Sequence, residues 1–199
     1  MAIKFQYNKI SMQYLGKQLK IRLRALPTIK NKESALRMEV KKAKDQVALL
    51  NDKLNAQIKK YESMVSLWNE FDPALIRVDD VLLETKKIAG VKTPVLKEIK
   101  FSTAKYSLFE SPVWYADGIA VLKELVSIAV EREVFTQKMH LLEKARRKTT
   151  QKVNLYEKVQ IPGFQEAMLK IKRFMEDEDN LSKSSQKIVK TRQALEVAS

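Results

Sequence analysis

The sequence contains few of the residues that build compact β-folds, disulfides or metal sites. Its 199 residues include four glycines, five prolines, no cysteine and a single histidine, His140. Because glycine and proline supply most turns, their scarcity favours long helices over an all-β fold. Without cysteine, neither disulfides nor thiolate metal sites can hold the chain together, which favours a cytoplasmic protein. A Ser-His or Cys-His nucleophile would depend on His140.

Signals for export, membrane insertion and phosphate binding are also missing. The first twenty residues carry four lysines without an apolar core of about 7–15 residues, so we expect no secretory signal. No uncharged apolar run approaches the roughly 18 residues of a spanning helix. No Gly-rich phosphate loop and no plausible acid/base pair is present. We therefore expect a soluble, non-catalytic protein without cofactor or metal, which meets a membrane only through a partner.

The positive charge lies at the two ends of the sequence. The formal net charge is +14. Residues 1–70 hold 15 Lys and Arg against 6 Asp and Glu, residues 71–118 hold 7 against 7, and residues 119–199 hold 16 against 11. Helices built from the two ends would present a basic surface to their surroundings.

A heptad pattern runs through the first third of the chain. Apolar residues recur at alternating steps of three and four, which is typical of a coiled-coil seam. The seam positions are Met12, Leu15, Leu19, Arg22, Leu26, Ile29, Glu33, Leu36, Val40, Ala43, Val47, Leu50, Leu54, Gln57, Tyr61, Met64 and Trp68. One continuous helix over this stretch would be on the order of 85 Å long, so we expect a rod with a partner helix along the stripe.

Three features interrupt this first helical region, which we assign to residues 1–70. Pro27 removes an amide donor, but the seam keeps its phase across it, so we predict a kink within one helix. Glu33 and Gln57 are polar residues on an apolar seam. They fix the register, meet a polar group on a third element, or mark a locally loosened coil.

The middle region, residues 71–118, is expected to be a small cap where the chain reverses. We predict one short helix over residues 74–87 and a hairpin-like insert at about 86–110, because Ile99 to Phe101 alternate and Pro94 marks a turn or edge. Tyr106 to Leu108 is read as another short strand. Asp117 is a candidate N-cap for the helix that follows.

The helical pattern returns in residues 119–199. Its apolar stripe runs through the following positions, with Arg132 and Arg146 as interruptions: Val121, Leu125, Ile128, Phe135, Met139, Leu142, Thr149, Val153, Tyr156, Phe164, Met168, Ile171, Met175, Leu181, Ile188 and Leu195. A kink is expected near Pro162. The predicted fold class is mainly α: a long antiparallel two-helix coiled coil with a small central α/β-hairpin cap.

Three segments resemble the D-subunit family of V/A-type rotary ATPases. Residues 145–162, ARRKTTQKVNLYEKVQIP, are similar to the family pattern R-R, then R/K-V-N-A-L-E-x-V-x-I-P. The matching positions are Arg146, Arg147, Val153, Asn154, Glu157, Ile161 and Pro162. Residues 88–94, IAGVKTP, are similar to I-M-G-V-x-V-P through Gly90, Val91 and Pro94. Residues 26–36, LPTIKNKESAL, are similar to L-L-K-x-K-R-D-x-L. Leu155 and Tyr156 replace the family's Ala and Leu, and Glu33 replaces a common Arg.

The resemblance implies a central rotor shaft that transmits torque and does not itself hydrolyse ATP. In this family the paired terminal helices stand inside a ring of alternating A and B subunits. A small central-stalk F subunit flanks the shaft, and a socket subunit on the ion-translocating membrane rotor holds its lower end. We expect long-range charge attraction between acidic loops of the ring wall and two basic sets. These sets are Lys4, Lys9, Lys17 and Lys20, and Lys183, Lys187, Lys190 and Arg192.

Several residues have plainer interpretations. Arg146 and Arg147, taken alone, are typical of a solvated helix face, and the acidic residues 176–179 point in successive directions on a helix. Among the aromatic residues near the reversal, we assign Trp68 to the core and Trp114 with Tyr115 to docking of the socket subunit or the F subunit. A basic coiled coil that binds nucleic acid, or a scaffold on anionic membranes, is the alternative, although no nucleic-acid motif is present.

Overall fold

The computed structural model describes residues 3–62, 68–107 and 111–198. In chain order it contains helix α1 (Lys9–Lys60), a 3-10 turn (Pro73–Leu75), strand β1 (Ile76–Ile88), strand β2 (Val91–Thr103), helix α2 (Tyr115–Asn154), a π-helix (Leu155–Gln160) and helix α3 (Ile161–Ala198). The predicted class, mainly α with a small hairpin, is confirmed. Within the part of the chain that the structure describes, no helix combines the length and hydrophobicity of a transmembrane span.

Helix α1 follows the predicted seam. Each described seam residue from Met12 to Trp68 is buried or half-buried, while Met64 lies outside the described residues. Asn8 caps the helix, because its Oδ1 accepts the Ser11 amide at 2.7 Å. The helix runs through Pro27 without a break. Its last turn carries Lys59 and Lys60, whose charges suit the negative end of the helix dipole.

The chain forms two compact units. The terminal unit comprises Met1–Asn31 and Thr149–Ser199, and the central unit comprises Lys32–Lys148. In the terminal unit, Leu15 of α1 is buried with Phe164, Ala167 and Ile171 of α3. Seven residues further along α1, Arg22 reaches back to Gln160, which precedes α3. The α1 segment of this unit is therefore antiparallel to its partner, as predicted.

In the central unit, α1 and α2 are also antiparallel. Near the end of α1, Gln57 donates a hydrogen bond to Glu124 at 3.1 Å. Earlier in α1, Glu33 lies within electrostatic range of Arg146, which is much later in α2. Within the central unit, the buried apolar side chains of these two helices are Leu36, Ala43, Leu50, Ile119, Ile128, Val134 and Leu142. Gln57 thus meets a polar group on the partner helix and not on a third element.

An aromatic cluster closes one end of the central unit. Phe71, Leu75 and Ile119 form its buried core, and Trp68 packs against them as predicted. Helix α2 begins at Tyr115, two residues before the Asp117 that we proposed as its N-cap. That prediction was wrong. Asp117 lies in the first turn, because the helix already begins at Tyr115, which packs in the aromatic cluster. The Cβ of any larger residue at Gly118 would lie 3.0 Å from the Trp114 ring.

Strands β1 and β2 form a hairpin longer than predicted. They pair antiparallel from Ile76 opposite Thr103 to Ile88 opposite Val91. The helix expected over residues 74–87 is wrong, since only Pro73–Leu75 is helical there. Tyr106 and Ser107 have no strand structure, and Leu108 lies outside the described residues.

A β-bulge explains why β1 was read as a helix. Val78 lies opposite Phe101 and Val81 opposite Ile99, so three steps along β1 match two steps along β2. The bulge therefore gives the half-buried residues Val78 and Val81 a spacing of three, which is typical of a helix rather than of a regular strand. The hairpin lies against α2, since Pro94, Leu96 and Val134 line the same pocket of about 140 Å³.

A π-helix separates α2 from α3 where a kink was predicted. Pro162 has no amide hydrogen, and in an α-helix its ring would press on the carbonyl of Lys158. The preceding residue, Ile161, donates instead to the carbonyl of Tyr156, five residues back. The wider turn accommodates the proline without ending the helical course of the chain.

Helix α3 extends beyond its packed segment. Met175 is the last of its residues to pack on the core of the terminal unit, and residues 176–194 are all exposed. Leu181 and Ile188 are 70% and 55% exposed, so their assignment to the packed stripe was wrong. Within the described residues α1 begins only at Lys9, and its contacts with α3 end at Met175. The side chain of Leu195 lies outside the described residues.

Candidate functional site

Parts of the three segments that carry the family resemblance, residues 32–36, 88–94 and 145–148, lie in the central unit. At the hairpin tip, Ala89 and Gly90 both have positive φ, 48° and 80°, which is the geometry of a tight type I′ turn. The Lys32 ammonium of α1 lies 3.4 Å from the place that a Cβ on Gly90 would occupy. The next residue of α1, Glu33, acts electrostatically on Arg146 of α2. Residues from all three motifs therefore lie near Lys32 and Glu33 of α1.

Arg146 is held by a carboxylate on its own helix. Glu143 accepts from Arg146 Nε at 2.8 Å and Nη2 at 2.7 Å, and from Arg147 Nε at 3.1 Å. These bonds lower the pKa of Glu143 to about 2, because its charged form gains two guanidinium partners while burial opposes the effect. The same pair raises the pKa of Arg146. Arg146 is half-buried in this network, whereas Arg147 remains largely solvent-exposed.

Arg22 forms a second polar contact, in the terminal unit. Its Nε donates to Gln160 Oε1 at 2.6 Å, and its Nη1 donates to the Gln18 carbonyl at 3.1 Å and side chain at 2.7 Å. The guanidinium also lies 4.6 Å from the centre of the Phe164 ring and 5.9 Å from that of Tyr156. A planar, always charged fork suits this combination of hydrogen bonds and ring faces.

The remaining motif residues have mainly structural surroundings. Ile161 is buried, Val153 is half-buried, and Asn154 is the exposed last residue of α2. Glu157 pairs with Lys30 at 2.7 Å on the surface. Val91 faces Ile88 and Pro94 faces Thr85 in the hairpin ladder.

The eight predicted ring contacts are all exposed, but they form two separate sets. Lys4, Lys9, Lys17 and Lys20 belong to the chain segment that packs beside residues 164–175 of α3. The other four, Lys183, Lys187, Lys190 and Arg192, lie on the part of α3 beyond Met175. The structure does not bring the two sets together. Both remain accessible to a surrounding partner.

Trp114 and Tyr115, the predicted docking residues, are half-buried in the aromatic cluster. The Trp114 ring lies 5.7 Å from Trp68 and 5.8 Å from Phe71, centre to centre. Tyr115 donates its hydroxyl to the Glu70 carbonyl at 2.6 Å. Each therefore contributes to the core of the central unit and keeps part of its surface exposed.

Metal chemistry finds no support in the described part of the chain. No three His, Asp or Glu side chains there are close enough to hold an ion. His140 is exposed on α2, and residues 176–179 are exposed on α3.

Sequence reasoning missed the two best-defined polar clusters. Glu143 was not singled out, although its spacing of three and four from Arg146 and Arg147 is the spacing of helical ion pairs. Arg22 was recognised only as a polar residue on the seam. Its partner Gln160 is 138 residues away, so no local pattern could identify it.

Comparison with known proteins agrees with this geometry. The sequence profile of the ATP synthase D subunit matches residues 11–191. The chain is 30% identical over 190 residues to the V-type ATP synthase D subunit of Borreliella burgdorferi (strain ATCC 35210 / DSM 4680 / CIP 102532 / B31), covering 94% of each protein. It is 31% identical over 187 residues to the V-type ATP synthase D subunit of Chlamydia pneumoniae, covering 89% of this chain and 87% of that protein. Since the match extends through both helical ends and the hairpin, this chain belongs to the D-subunit family of ATP synthases.

Proposed function

We propose that this chain is the central rotor shaft of a V-type ATP synthase. In this role it transmits torque between a ring of A and B subunits, which hydrolyse or synthesise ATP, and an ion-translocating membrane rotor. The chain itself is a non-catalytic subunit without a cofactor. The observation that carries the proposal is the pairing of the N-terminal part of α1 with α3, seen in the burial of Leu15 against Phe164 and Ile171.

The physical requirements of a shaft support this role. A torsion element needs continuous stiff structure, and α1 runs for 52 residues without a break. It also needs a surface that slides past equivalent neighbours without locking onto one of them. Exposed lysines provide such a surface, because charge attraction acts at long range and demands little geometric fit.

Residues 176–194 of α3 are the proposed contact with the ring. They are exposed throughout, carry Lys183, Lys187, Lys190 and Arg192, and also expose Leu181 and Ile188. Lys4, Lys9, Lys17 and Lys20 add charge on the neighbouring segment. The small F subunit binds the flank of the shaft, and the socket subunit of the membrane rotor docks at the exposed parts of Trp114 and Tyr115. The protein is thus cytoplasmic and peripheral to the membrane through its partners.

Charge reversal on α3 tests the ring contact. Lys183, Lys187, Lys190 and Arg192 are changed together to Glu in the complete complex, reconstituted in vesicles. ATP hydrolysis is expected to persist while ATP-driven ion uptake falls, because rotation no longer follows catalysis. The matched control reverses four exposed lysines of the central unit, Lys41, Lys44, Lys97 and Lys100. Equal coupling in the two variants would refute the contact.

Purification through a tag on this chain tests the assembly itself. Native mass spectrometry of the complex from its own source is expected to give a ring of A and B subunits together with one small central subunit. Recovery of the chain with nucleic acid, or bound to anionic vesicles without ring subunits, would refute the shaft and support the alternative of a basic scaffold.

A further inference from the structure

The π-helix changes the phase of the buried face of the chain. From Tyr156, two heptads lead to Lys170, whose side chain is 55% exposed, whereas the next residue, Ile171, is completely buried. The same offset places Met175 rather than Phe174 against the core. One residue corresponds to about 100° of rotation at 3.6 residues per turn. Without the π-helix, α3 would turn Lys170 instead of Ile171 toward the core.

Arg22 contacts both the π-helix that produces this phase change and the first turn of α3 after it. Tyr156 is the second residue of the π-helix, Gln160 is its last, and Phe164 lies in the first turn of α3. The guanidinium hydrogen-bonds Gln160 and lies against the rings of the other two. Two hydrogen bonds to Gln18 fix the guanidinium on its own helix. A single half-buried side chain thus connects the π-helix to the start of α3.

A neighbouring ion pair offers a contrast. Lys30 and Glu157 join α1 to the same π-helix at 2.7 Å, but each side chain is 46% exposed. Exposed pairs of this kind contribute little, since solvent and salt screen them. Removing the exposed Lys30–Glu157 ion pair therefore tests a charge contact with the π-helix separately from the half-buried contact that Arg22 makes.

We infer that Arg22 is the positioning residue that holds the one-residue phase change at Leu155–Gln160. By doing so it determines which face of α3 turns toward α1, and hence the direction in which the remainder of α3 presents its side chains. This inference concerns the chain by itself and is independent of the proposed function.

Hydrogen exchange of the full-length chain tests the inference. Arg22→Met keeps an unbranched apolar stem as far as the position of Nε and removes the guanidinium, while Arg22→Lys keeps the stem and the charge without the planar fork. In Arg22→Met, amides 156–165 are expected to exchange about tenfold faster, while those of the central unit stay within about twofold of the original chain. Arg22→Lys should lie between the two. Lys30→Ala is the matched control and should leave exchange at the π-helix unchanged.

Three exchange results would overturn the inference. Amides 156–165 could stay within about twofold of the original rate in Arg22→Met. Lys30→Ala could accelerate their exchange as much as Arg22→Met does. The acceleration could also extend equally through the central unit, which would indicate general loosening instead of a local role.

Spin-label distances test positioning directly. The chain has no cysteine, so Lys20→Cys on α1 and Lys172→Cys on α3 give two specific labels at exposed positions. The original background is expected to give one narrow distance distribution. Gln160→Ala, which removes the acceptor and leaves Arg22 in place, should add a second distance, as should Arg22→Met. One unchanged distance in both variants would overturn the inference, and Gln160→Ala decides it alone if Arg22→Met does not fold.

Discussion

Replacing Glu143 by Gln should destabilise the chain in a pH-dependent way. A fall of its pKa from 4.5 to about 2 corresponds to about 3.4 kcal/mol if it is converted in full at 1.36 kcal/mol per pH unit. The Glu143 side chain is 24% exposed and that of Arg147 is 73% exposed, so solvent screening reduces the value. Helical ion pairs contribute a few tenths of a kcal/mol each, and the two-bonded Arg146 contact adds more. We expect Glu143→Gln to lower the free energy of unfolding by about 1 kcal/mol at pH 7.

The sign of the pH dependence follows from the lowered pKa. A carboxyl with a lower pKa in the folded chain contributes stability that is fully present above pH 4.5 and is lost as the pH falls toward 2. Urea unfolding of both chains between pH 7 and pH 2 measures the difference. Glu39→Gln, which removes a single lysine partner at 3.0 Å, is the control and should cost less. A difference that is absent at pH 7, or that persists unchanged at pH 2, would refute the reasoning.

Three further substitutions test packing and backbone geometry through thermal or urea unfolding. Leu142→Ala should cost about 2–5 kcal/mol because its side chain is completely buried, whereas Leu141→Ala, at 43% exposure, should cost well under half as much; equal losses would contradict the assigned α2 face. Gly90→Ala should cost about 1 kcal/mol because its φ of 80° disfavours a side chain. Gly16→Ala should instead stabilise by about 0.5–1 kcal/mol, since it lies within α1 and its Cβ would meet Met168 at an ordinary 3.5 Å; the same sign for both glycines would contradict the assigned backbone.

The helical part of the fold could be predicted because a seam repeats over many turns. A single error in assigning one residue does not alter a pattern that continues from Met12 to Tyr61. Pro27 did not interrupt it, since a proline on the exposed side removes one hydrogen bond and leaves the apolar stripe intact. The partner helix could be identified by the same reasoning, as its stripe repeats from Val121 to Met175.

The hairpin could not be predicted in full because bulges remove its only local signal. A strand is recognised by alternation, and one extra residue shifts every later side chain to the other face. In β1 the shift at Asp79 separates Val78 from Val81 by three, which is a helical spacing. The turn was recognisable only because Gly90 marks it.

The polar contacts show a different limit of sequence reasoning. An arginine on an apolar seam indicates that a partner exists, but the identity of Gln160 depends on the antiparallel register within the terminal unit. The register in turn depends on the extra residue of the π-helix, which Pro162 makes favourable but does not specify. Local sequence rules therefore identify Arg22 as a polar seam residue and Pro162 as the place of a helix irregularity. That the two are in contact is visible only in the folded chain.

The exposed end of α3 shows that apolar residues in a helical sequence do not identify the surface that buries them. Leu181 and Ile188 lie seven residues apart but one position short of the heptad that leads from Met175 to Ser182 and Val189, and both are exposed. A helix that keeps an apolar repeat beyond its own partner has a free energy reason to bind another surface, because each covered side chain removes apolar area from water. The lysines that alternate with this stripe favour an acidic cover. We propose the ring wall as that surface, so coupling should depend on Leu181 and Ile188 as well as on the charges around them.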